Sequence, residues 1–269
     1  MTATGTLLYM EKVSVSFDGF KALNDLSLAV APGEMRAIIG PNGAGKTTMM
    51  DVITGKTRPD TGFVLFDEVH DLKGMDEAAI ANLGIGRKFQ KPTVFESQSV
   101  EDNFVLALQG ERGVWPNLFG KARAREAERI EELLALTRLD SQRDTLAGSL
   151  SHGQKQWLEI GMLLVQNADV LLLDEPVAGM SHEEREETGN LLRRIGAERT
   201  VVVVEHDMDF MREFATSVTV LARGQVIAEG SVAEVQANPR VQEVYLGTAA
   251  VGSAESEETG AAELIEEKS

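Results

Sequence analysis

The sequence predicts an α/β fold whose main sheet is largely parallel, and three observations support this prediction. Short β-rich runs alternate with helical patterns along the chain. Three of these runs are apolar throughout, which is typical of strands that helices cover on both faces of a parallel sheet. A glycine-rich turn follows one run and an acidic pair ends another, so polar groups should collect at one sheet edge. The predicted strands are residues 35–39, 63–66, 170–173, 201–204 and 218–221.

Two further elements complete the predicted fold. Residues 226–228 follow an Arg-Gly turn and are predicted to form one arm of a late β-hairpin. Residues 121–139 are predicted to form a charged helix, because Ile130 and Leu134 fall on one face while Arg and Glu cover the other. The charged face of this helix is expected to be solvated.

Composition narrows the possible functions. The 269 residues include 26 Lys and Arg, 43 Asp and Glu, four His and no Cys, for a net charge of −17. The lack of Cys excludes disulfide frameworks and cysteine-bound zinc. The negative charge argues against non-specific nucleic-acid binding, since phosphates would repel it. No apolar run is long enough to span a bilayer and no secretion signal is visible. We therefore expect a cytoplasmic protein that reaches a membrane only through a partner.

The C-terminal residues 248–269 differ in composition from the rest of the chain. They are rich in Ala, Gly, Ser and Glu, with six Glu, one Lys and no aromatic residue. Such a segment buries too little apolar surface to offset the entropy lost on ordering. We predict a disordered acidic tail, and a tail that binds a partner is the alternative.

The glycine-rich turn has the pattern of a phosphate-binding loop, G-x-x-x-x-G-K-T, between a predicted strand and a helical run from Thr48. Its glycines allow several backbone N–H groups to point at one place, and the following helix adds a positive dipole. We expect Lys46 to contact the β and γ phosphates of a nucleotide and the Thr47 hydroxyl to bind Mg²⁺. The predicted nucleotide-binding residues of this loop are Gly40, Pro41, Asn42, Gly43, Ala44, Gly45, Lys46, Thr47 and Thr48.

An acidic pair ends the predicted strand at 170–173. Asp174 and Glu175 stand at the carboxyl end of this strand, where ligands bind in open α/β sheets. Asp174 is placed to hold Mg²⁺, directly or through water, and Glu175 to polarise a water molecule for in-line attack on a phosphate. Two solvated acids at a strand end are the alternative, which is weaker in a chain that also has a phosphate loop.

Three further motifs accompany the phosphate loop and the acidic pair. Residues 89–90 read Phe-Gln, residues 150–154 read Leu-Ser-His-Gly-Gln, and residues 205–207 read Glu-His-Asp. This ordered set resembles the ATP-binding subunits of ABC transporters over residues 7–247. The resemblance implies a P-loop NTPase fold with a RecA-like core, an antiparallel β subdomain and an α-helical subdomain at residues 91–156. It also implies an ATPase.

The resemblance assigns roles to individual residues. Gln90 is expected to reach Mg²⁺ or the attacking water, and His206 to contact the γ-phosphate and hold the geometry of Glu175. The residues expected to cap the γ-phosphate bound by an opposing subunit are Ser151, Gly153 and Gln154. We call residues 150–154 the signature.

The match to the family is less direct at the adenine-stacking ring, at His152 and at residues 177–180. The family stacks an aromatic ring on adenine; Phe17 fits this role and Phe20 is close, while a core position for Phe17 is an equal alternative. His152 departs from the family's usual Gly, and we interpret it as a substitution that the loop tolerates. Residues 177–180 match the family's dimer-contact loop poorly and receive no catalytic role.

One chain carries one phosphate loop and one signature, whereas the family encloses each nucleotide between the loop of one subunit and the signature of another. The resemblance therefore implies a second ATP-binding subunit, either a different homologue or another copy. It also implies two transmembrane permease subunits, an extracytoplasmic solute-binding protein that acts indirectly, and a position on the inner face of the cell membrane. ATP would close the dimer and hydrolysis would release it.

The details of the motifs narrow the family. The phosphate loop, residues 87–92 and residues 174–180 are similar to the branched-chain amino acid group of importers, and residues 91–96 and 151–157 resemble most its urea-uptake members. We therefore expect urea as the imported solute, with branched-chain amino acids or short amides as alternatives. A soluble ABC ATPase that acts on nucleic acid or ribosomes is a further alternative, which the single cassette and the negative charge disfavour.

Overall fold

The computed structural model describes residues 5–88, 93–108 and 120–245, which form two β-sheets flanked by helices. The strands are β1 (Leu8–Phe17), β2 (Phe20–Val30), β3 (Met35–Ile39), β4 (Thr61–Phe66), β5 (His70–Asp71), β6 (Ile85–Lys88), β7 (Val170–Asp174), β8 (Thr200–Val204), β9 (Ser217–Ala222) and β10 (Gln225–Gly230). The helices are α1 (Lys46–Ile53), α2 (Glu77–Asn82), α3 (Val100–Leu108), α4 (Gly120–Thr137), α5 (His152–Val165), α6 (His182–Gly196), α7 (Met208–Arg212) and α8 (Val232–Ala237).

The larger sheet has six strands in the order β10-β9-β3-β8-β7-β6. The pairs β9-β3, β3-β8, β8-β7 and β7-β6 are parallel, and β10 joins β9 as an antiparallel hairpin. The prediction of an α/β fold with a largely parallel main sheet is therefore confirmed, as is the late hairpin. The carboxyl ends of β3 and β7 lie at one edge of this sheet, which is where the phosphate loop and the acidic pair begin.

The smaller sheet is antiparallel, with strand order β2-β1-β4-β5. It contains the apolar run at 63–66, so the interpretation of that run as a strand of the parallel sheet is wrong. The reason is that its side chains alternate, with Val64 and Phe66 buried and Phe63 partly exposed. Because Phe63 on the exposed face is also apolar, a strand that is buried on one face only has the uninterrupted apolar sequence of a strand buried on both faces.

Two apolar clusters pack against opposite faces of the six-stranded sheet, and strand β8 shows the division. Val201 and Val203 belong to the cluster that includes residues of α3 to α7, whereas Val202 and Val204 belong to the cluster beneath α1 and the antiparallel sheet. All four side chains are at most 1% exposed. Burying a Val side chain fully contributes about 1.5–3 kcal/mol before entropic costs, so the sheet provides a rigid base for the loops at its edge.

Helices α3, α4 and α5 pack together beside the larger sheet. The helix predicted at 121–139 is observed as α4, and Ile130 and Leu134 are buried on its inner face as expected. The helix ends before Arg138, whose φ of 57° is left-handed. At Gly161 of α5, an added Cβ would lie 2.5 Å from the Phe104 ring of α3, so the two helices approach closely there.

Several predictions concern residues outside the described ranges. The tail at 248–269 and the Phe-Gln motif at 89–90 lie there, and the domain limits of 7–247 and 91–156 stay predictions. None of the described helices combines the length and the apolar composition that crossing a bilayer requires.

Candidate active site

The phosphate loop joins the buried strand β3 to helix α1, which begins at Lys46, two residues before the predicted start. Gly45 precedes the helix with a φ of 101°, and a Cβ there would lie 2.6 Å from the carbonyl oxygen of Ala22. Only glycine satisfies both constraints. A Cβ at Gly43 would meet no atom within 4 Å, so this part of the loop faces open space where a phosphate can approach.

The side chain of Lys46 curls back over the loop. Its Nζ donates to the carbonyl oxygens of Gly40 at 2.5 Å and Pro41 at 3.0 Å. Burial lowers the pKa of Lys46, while the charges of Glu175 and Asp174 raise it. The ammonium group is therefore bound by carbonyl oxygens of the loop itself, and its contact with phosphate stays a prediction.

A cavity of about 310 Å³ brings most of the predicted residues together. Phe17 is 49% exposed there, so the alternative of a core position for Phe17 is wrong, and Phe20 lines the same cavity. A larger cleft of about 580 Å³, between the end of α4 and α6, is lined by no predicted site residue. The residues that line the smaller cavity are Phe17, Phe20, Ala22, Asn42, Gly43, Ala44, Gly45, Lys46, Thr47, Thr48, Asp174 and Glu175.

Asp174 is the last residue of β7 and is only 2% exposed. Burial raises the pKa of Asp174, and its Oδ2 lies 3.8 Å from Nη2 of Arg87, whose charge lowers that pKa. Asp174 and Thr47 line one cavity. Oxygen ligands of this kind suit Mg²⁺, which takes few protein ligands and completes its shell with water and phosphate. The residues present therefore fit the ion.

Glu175 turns away from the strand that carries Asp174. Its φ of 46° is left-handed, a conformation that costs a non-glycine residue about 1–3 kcal/mol and recurs at functional sites. Its backbone N–H donates to the carbonyl of Val204 at 2.9 Å, which ties it to the neighbouring strand. Its Oε1 lies 3.9 Å from Nδ1 of His206. The structure thus places the predicted base and the predicted histidine side by side.

Sequence reasoning assigned no role to Glu205. This residue is 2% exposed, and its carboxylate accepts from the backbone N–H groups of Val177 at 3.3 Å and His206 at 3.1 Å. Burial raises the pKa of Glu205, and those donors lower it. Glu205 therefore fixes the segment after Glu175 against the segment that carries His206. An acid that directly follows a run of four valines was the signal available in the sequence.

The signature lies at the start of helix α5. Ser151 caps the helix: its Oγ accepts from the Gln154 N–H at 3.1 Å, and the Gln154 Oε1 accepts from the Ser151 N–H at 2.9 Å. Gly153 is buried in the first turn. Neither Ser151, Gly153 nor Gln154 lines the cavity that holds the phosphate loop of the same chain. The structure therefore does not bring the two predicted halves of the nucleotide site together within one chain.

His152 is the first residue of α5, and it makes a specific contact. Its Nε2 lies 3.1 Å from the carbonyl oxygen of Ala178 and 3.2 Å from Nε2 of Gln156. The ring thus connects the signature to the segment at 177–180, and the interpretation of His152 as a substitution that the loop tolerates stays a prediction. Gln90 lies outside the described residues, so its position relative to this site stays a prediction.

Comparison with known proteins agrees with this geometry. A family model described as ABC transporter matches residues 23–178, and a model described as branched-chain amino acid ATP-binding cassette transporter matches residues 225–251. The chain is 36% identical over 250 residues to a probable branched-chain amino acid transport ATP-binding protein LivG of Archaeoglobus fulgidus, covering 90% of this chain and 95% of that protein. It is 31% identical over 252 residues to the high-affinity LivG of Escherichia coli K12, covering 90% and 98%.

The fold has close counterparts among solved structures. The crystal structure of the ADP conformation of MJ1267, an ATP-binding cassette of an ABC transporter, superposes with a TM-score of 0.78 at 31% identity, covering 91% of this chain and all of that one. The chain belongs to the ATP-binding cassette family of ABC transporters and has the ABC ATPase fold, which confirms the predicted fold class and the predicted ATPase family. Within this family it is similar to the LivG proteins. Urea appears in none of the descriptions quoted above, so they do not support the expectation of urea.

Proposed function

We propose that this chain hydrolyses ATP to drive an importer for branched-chain amino acids. The observation that carries the proposal is the single cavity in which the phosphate loop, Lys46, Thr47, Asp174 and Glu175 converge. Enzymes of phosphoryl transfer act mainly through positioning and charge stabilisation, and this cavity offers a cation, backbone donors and two carboxylates.

Each residue has a distinct role in the proposed reaction. The loop N–H groups and Lys46 bind the phosphates, and Thr47 and Asp174 hold Mg²⁺, which supplies positive charge for the transferred phosphoryl group. Glu175 accepts a proton from the attacking water, while His206 orients the Glu175 carboxylate and reaches the γ-phosphate. In this proposal Gln90 approaches the attacking water, and Phe17 or Phe20 stacks on adenine.

The proposed reaction needs a second ATP-binding subunit. Ser151 of the signature lies outside the cavity of its own chain, whereas an opposing subunit can present the same donors to a bound nucleotide. We propose that closure and release of this pair of subunits act on two permease subunits. A solute-binding protein delivers the solute from outside, and the chain lies on the inner face of the membrane. In other nucleotide-hydrolysing proteins, the γ-phosphate likewise holds mobile segments in place and hydrolysis releases them.

Branched-chain amino acids are the favoured solute because both LivG relatives and the family model at 225–251 name them. Urea is the second candidate, on the resemblance of residues 151–157 to urea-uptake members. Uptake of labelled leucine and labelled urea in a strain without this chain separates the two. We expect leucine uptake to fall and urea uptake to stay unchanged. Loss of urea uptake alone would instead support urea, and loss of neither would contradict an import role.

A further inference from the structure

Glu184 lies in the first turn of α6, but its carboxylate reaches two helix N-termini. Its Oε2 accepts from the Ser181 N–H at 3.0 Å, and together they form the capping box of α6. Its Oε1 accepts from the Ser151 hydroxyl at 2.9 Å, at the start of α5. The Ser181 N–H is the main cause of a lowered pKa for Glu184, and the Ser151 hydroxyl and the Gly153 N–H lower it further.

The signature donors therefore already have an anion. A serine hydroxyl has one proton to donate, and Ser151 donates it to Glu184. A Cβ at Gly153 would lie 2.5 Å from the Glu184 Oε1, so the carboxylate also rests against the backbone of that glycine. A phosphate oxygen that accepts from the Ser151 hydroxyl and the Gly153 N–H would have to occupy nearly the same volume as Glu184 Oε1.

We propose that Glu184 is a displaceable anion that holds the signature of each unliganded subunit and yields the Ser151 hydroxyl to the phosphate of a nucleotide bound by the opposing subunit. The proposal rests on the proposed function, because only an opposing nucleotide brings a phosphate to the signature. Displacement opposes closure in two ways: a charge-assisted hydrogen bond is broken, and a carboxylate faces an approaching phosphate of like charge. Glu184 thus sets the ATP concentration at which the dimer closes.

Glu184→Gln separates this role from helix capping. Gln also serves at the third helical position (N3) of a capping box, so the start of α6 is preserved. The carboxamide carries no charge and binds the Ser151 hydroxyl more weakly. A matched control exists in α8, where Glu234 forms the same capping box with Ser231, far along the chain from the signature. Glu234→Gln makes the same chemical change without touching Ser151.

The test uses the intact complex, purified from its own host through a tag on this chain. We expect Glu184→Gln to lower the ATP concentration for half-maximal ATPase by roughly tenfold, the loss expected when a charged partner becomes neutral. Glu234→Gln should leave that concentration unchanged, and both variants should melt at similar temperatures. An unchanged or increased half-maximal concentration in Glu184→Gln would overturn the proposal. If the unmodified complex shows no ATPase, the proposed function itself fails, which is a separate result.

Discussion

The buried ammonium of Lys88 gives the sharpest test of how the site is held together. Its side chain is fully buried at the end of β6, and its Nζ lies 3.9 Å from Oε2 of Glu159 on α5. Burial lowers the pKa of Lys88, whereas the charges of Glu159, and next of Asp174 and Glu205, raise it. Lys88 therefore forms a buried ion pair with Glu159, and its pKa also responds to the charges of Asp174 and Glu205.

Replacing Lys88 with Met should destabilise the fold strongly. Removing one partner of a buried ion pair costs about 3–5 kcal/mol, because the remaining charge loses its compensation. Glu159 keeps its hydrogen bonds from the backbone and hydroxyl groups of Thr93. These bonds offset part of the loss, so we expect the lower end of that range, about 3 kcal/mol of unfolding free energy at pH 8.

The loss caused by Lys88→Met should depend on pH. Burial raises the pKa values of Glu159 and Asp174, and the charge of Lys88 lowers both, so removing Lys88 raises these two pKa values further. When the pKa of a carboxylate is higher in the folded state than in the unfolded state, the folded state binds more protons at pH values between the two pKa values. The free energy of unfolding therefore falls as the pH rises through this range. The difference from the unmodified chain should therefore shrink as pH falls from about 8 to about 5, towards the ordinary carboxylate range.

Urea denaturation of the full chain at both pH values measures this effect. Lys21→Met, at an exposed position of β2, is the matched control and should change the unfolding free energy by less than about 0.5 kcal/mol. A loss below about 1 kcal/mol for Lys88→Met, or a loss that is the same at both pH values, would refute the reasoning.

Two further predictions test the site and its support. Glu175→Gln should retain ATP binding, abolish turnover and accumulate a closed dimer, because the proposed base is lost while the phosphate contacts remain; normal steady-state ATPase in the intact complex would contradict this. Gly161→Ala should lower the unfolding free energy by about 1–2 kcal/mol, since overpacking against Phe104 exceeds the gain in helix propensity. Urea denaturation measures the second effect, and a stabilised variant would show that α3 moves away freely.

Much of the site could be predicted because its signals are local in the sequence. The phosphate loop and the acidic pair each occupy consecutive residues, and the strands before them are buried on both faces, so both strands are apolar apart from Arg36 in β3 and the terminal Asp174 in β7. The strand at 201–204 was predictable for the same reason. Position in a parallel sheet then brought both motifs to one edge without further information.

The N-terminal antiparallel strands were harder to predict individually. The pairing of β1 with β2 has register shifts between Met10 and Val13 and again on either side of Val15. Lys12 has a φ of 48°, which marks a local break in the extended backbone. Each shift interrupts the alternation of apolar and polar residues that identifies a one-sided strand.

Contacts between distant residues could not be predicted either. Glu184 lies 33 residues from Ser151, and Glu159 lies 66 residues from Thr93. No local pattern marks such pairs, since their members lie far apart in the sequence. They depend on how α5 and α6 pack against the sheet, which is settled by the three-dimensional fold.

The central claim is that the phosphate loop binds the triphosphate of ATP through Lys46. Calorimetric titration of the full chain with MgATP, before and after Lys46→Ala, tests it most directly, with Lys21→Ala as the exposed control. We expect the unmodified chain and the control to bind ATP equally well, and Lys46→Ala to bind about 10- to 100-fold more weakly, as the loss of a charged hydrogen-bond partner implies. Equal affinity in all three, or no binding to the unmodified chain, would contradict the claim.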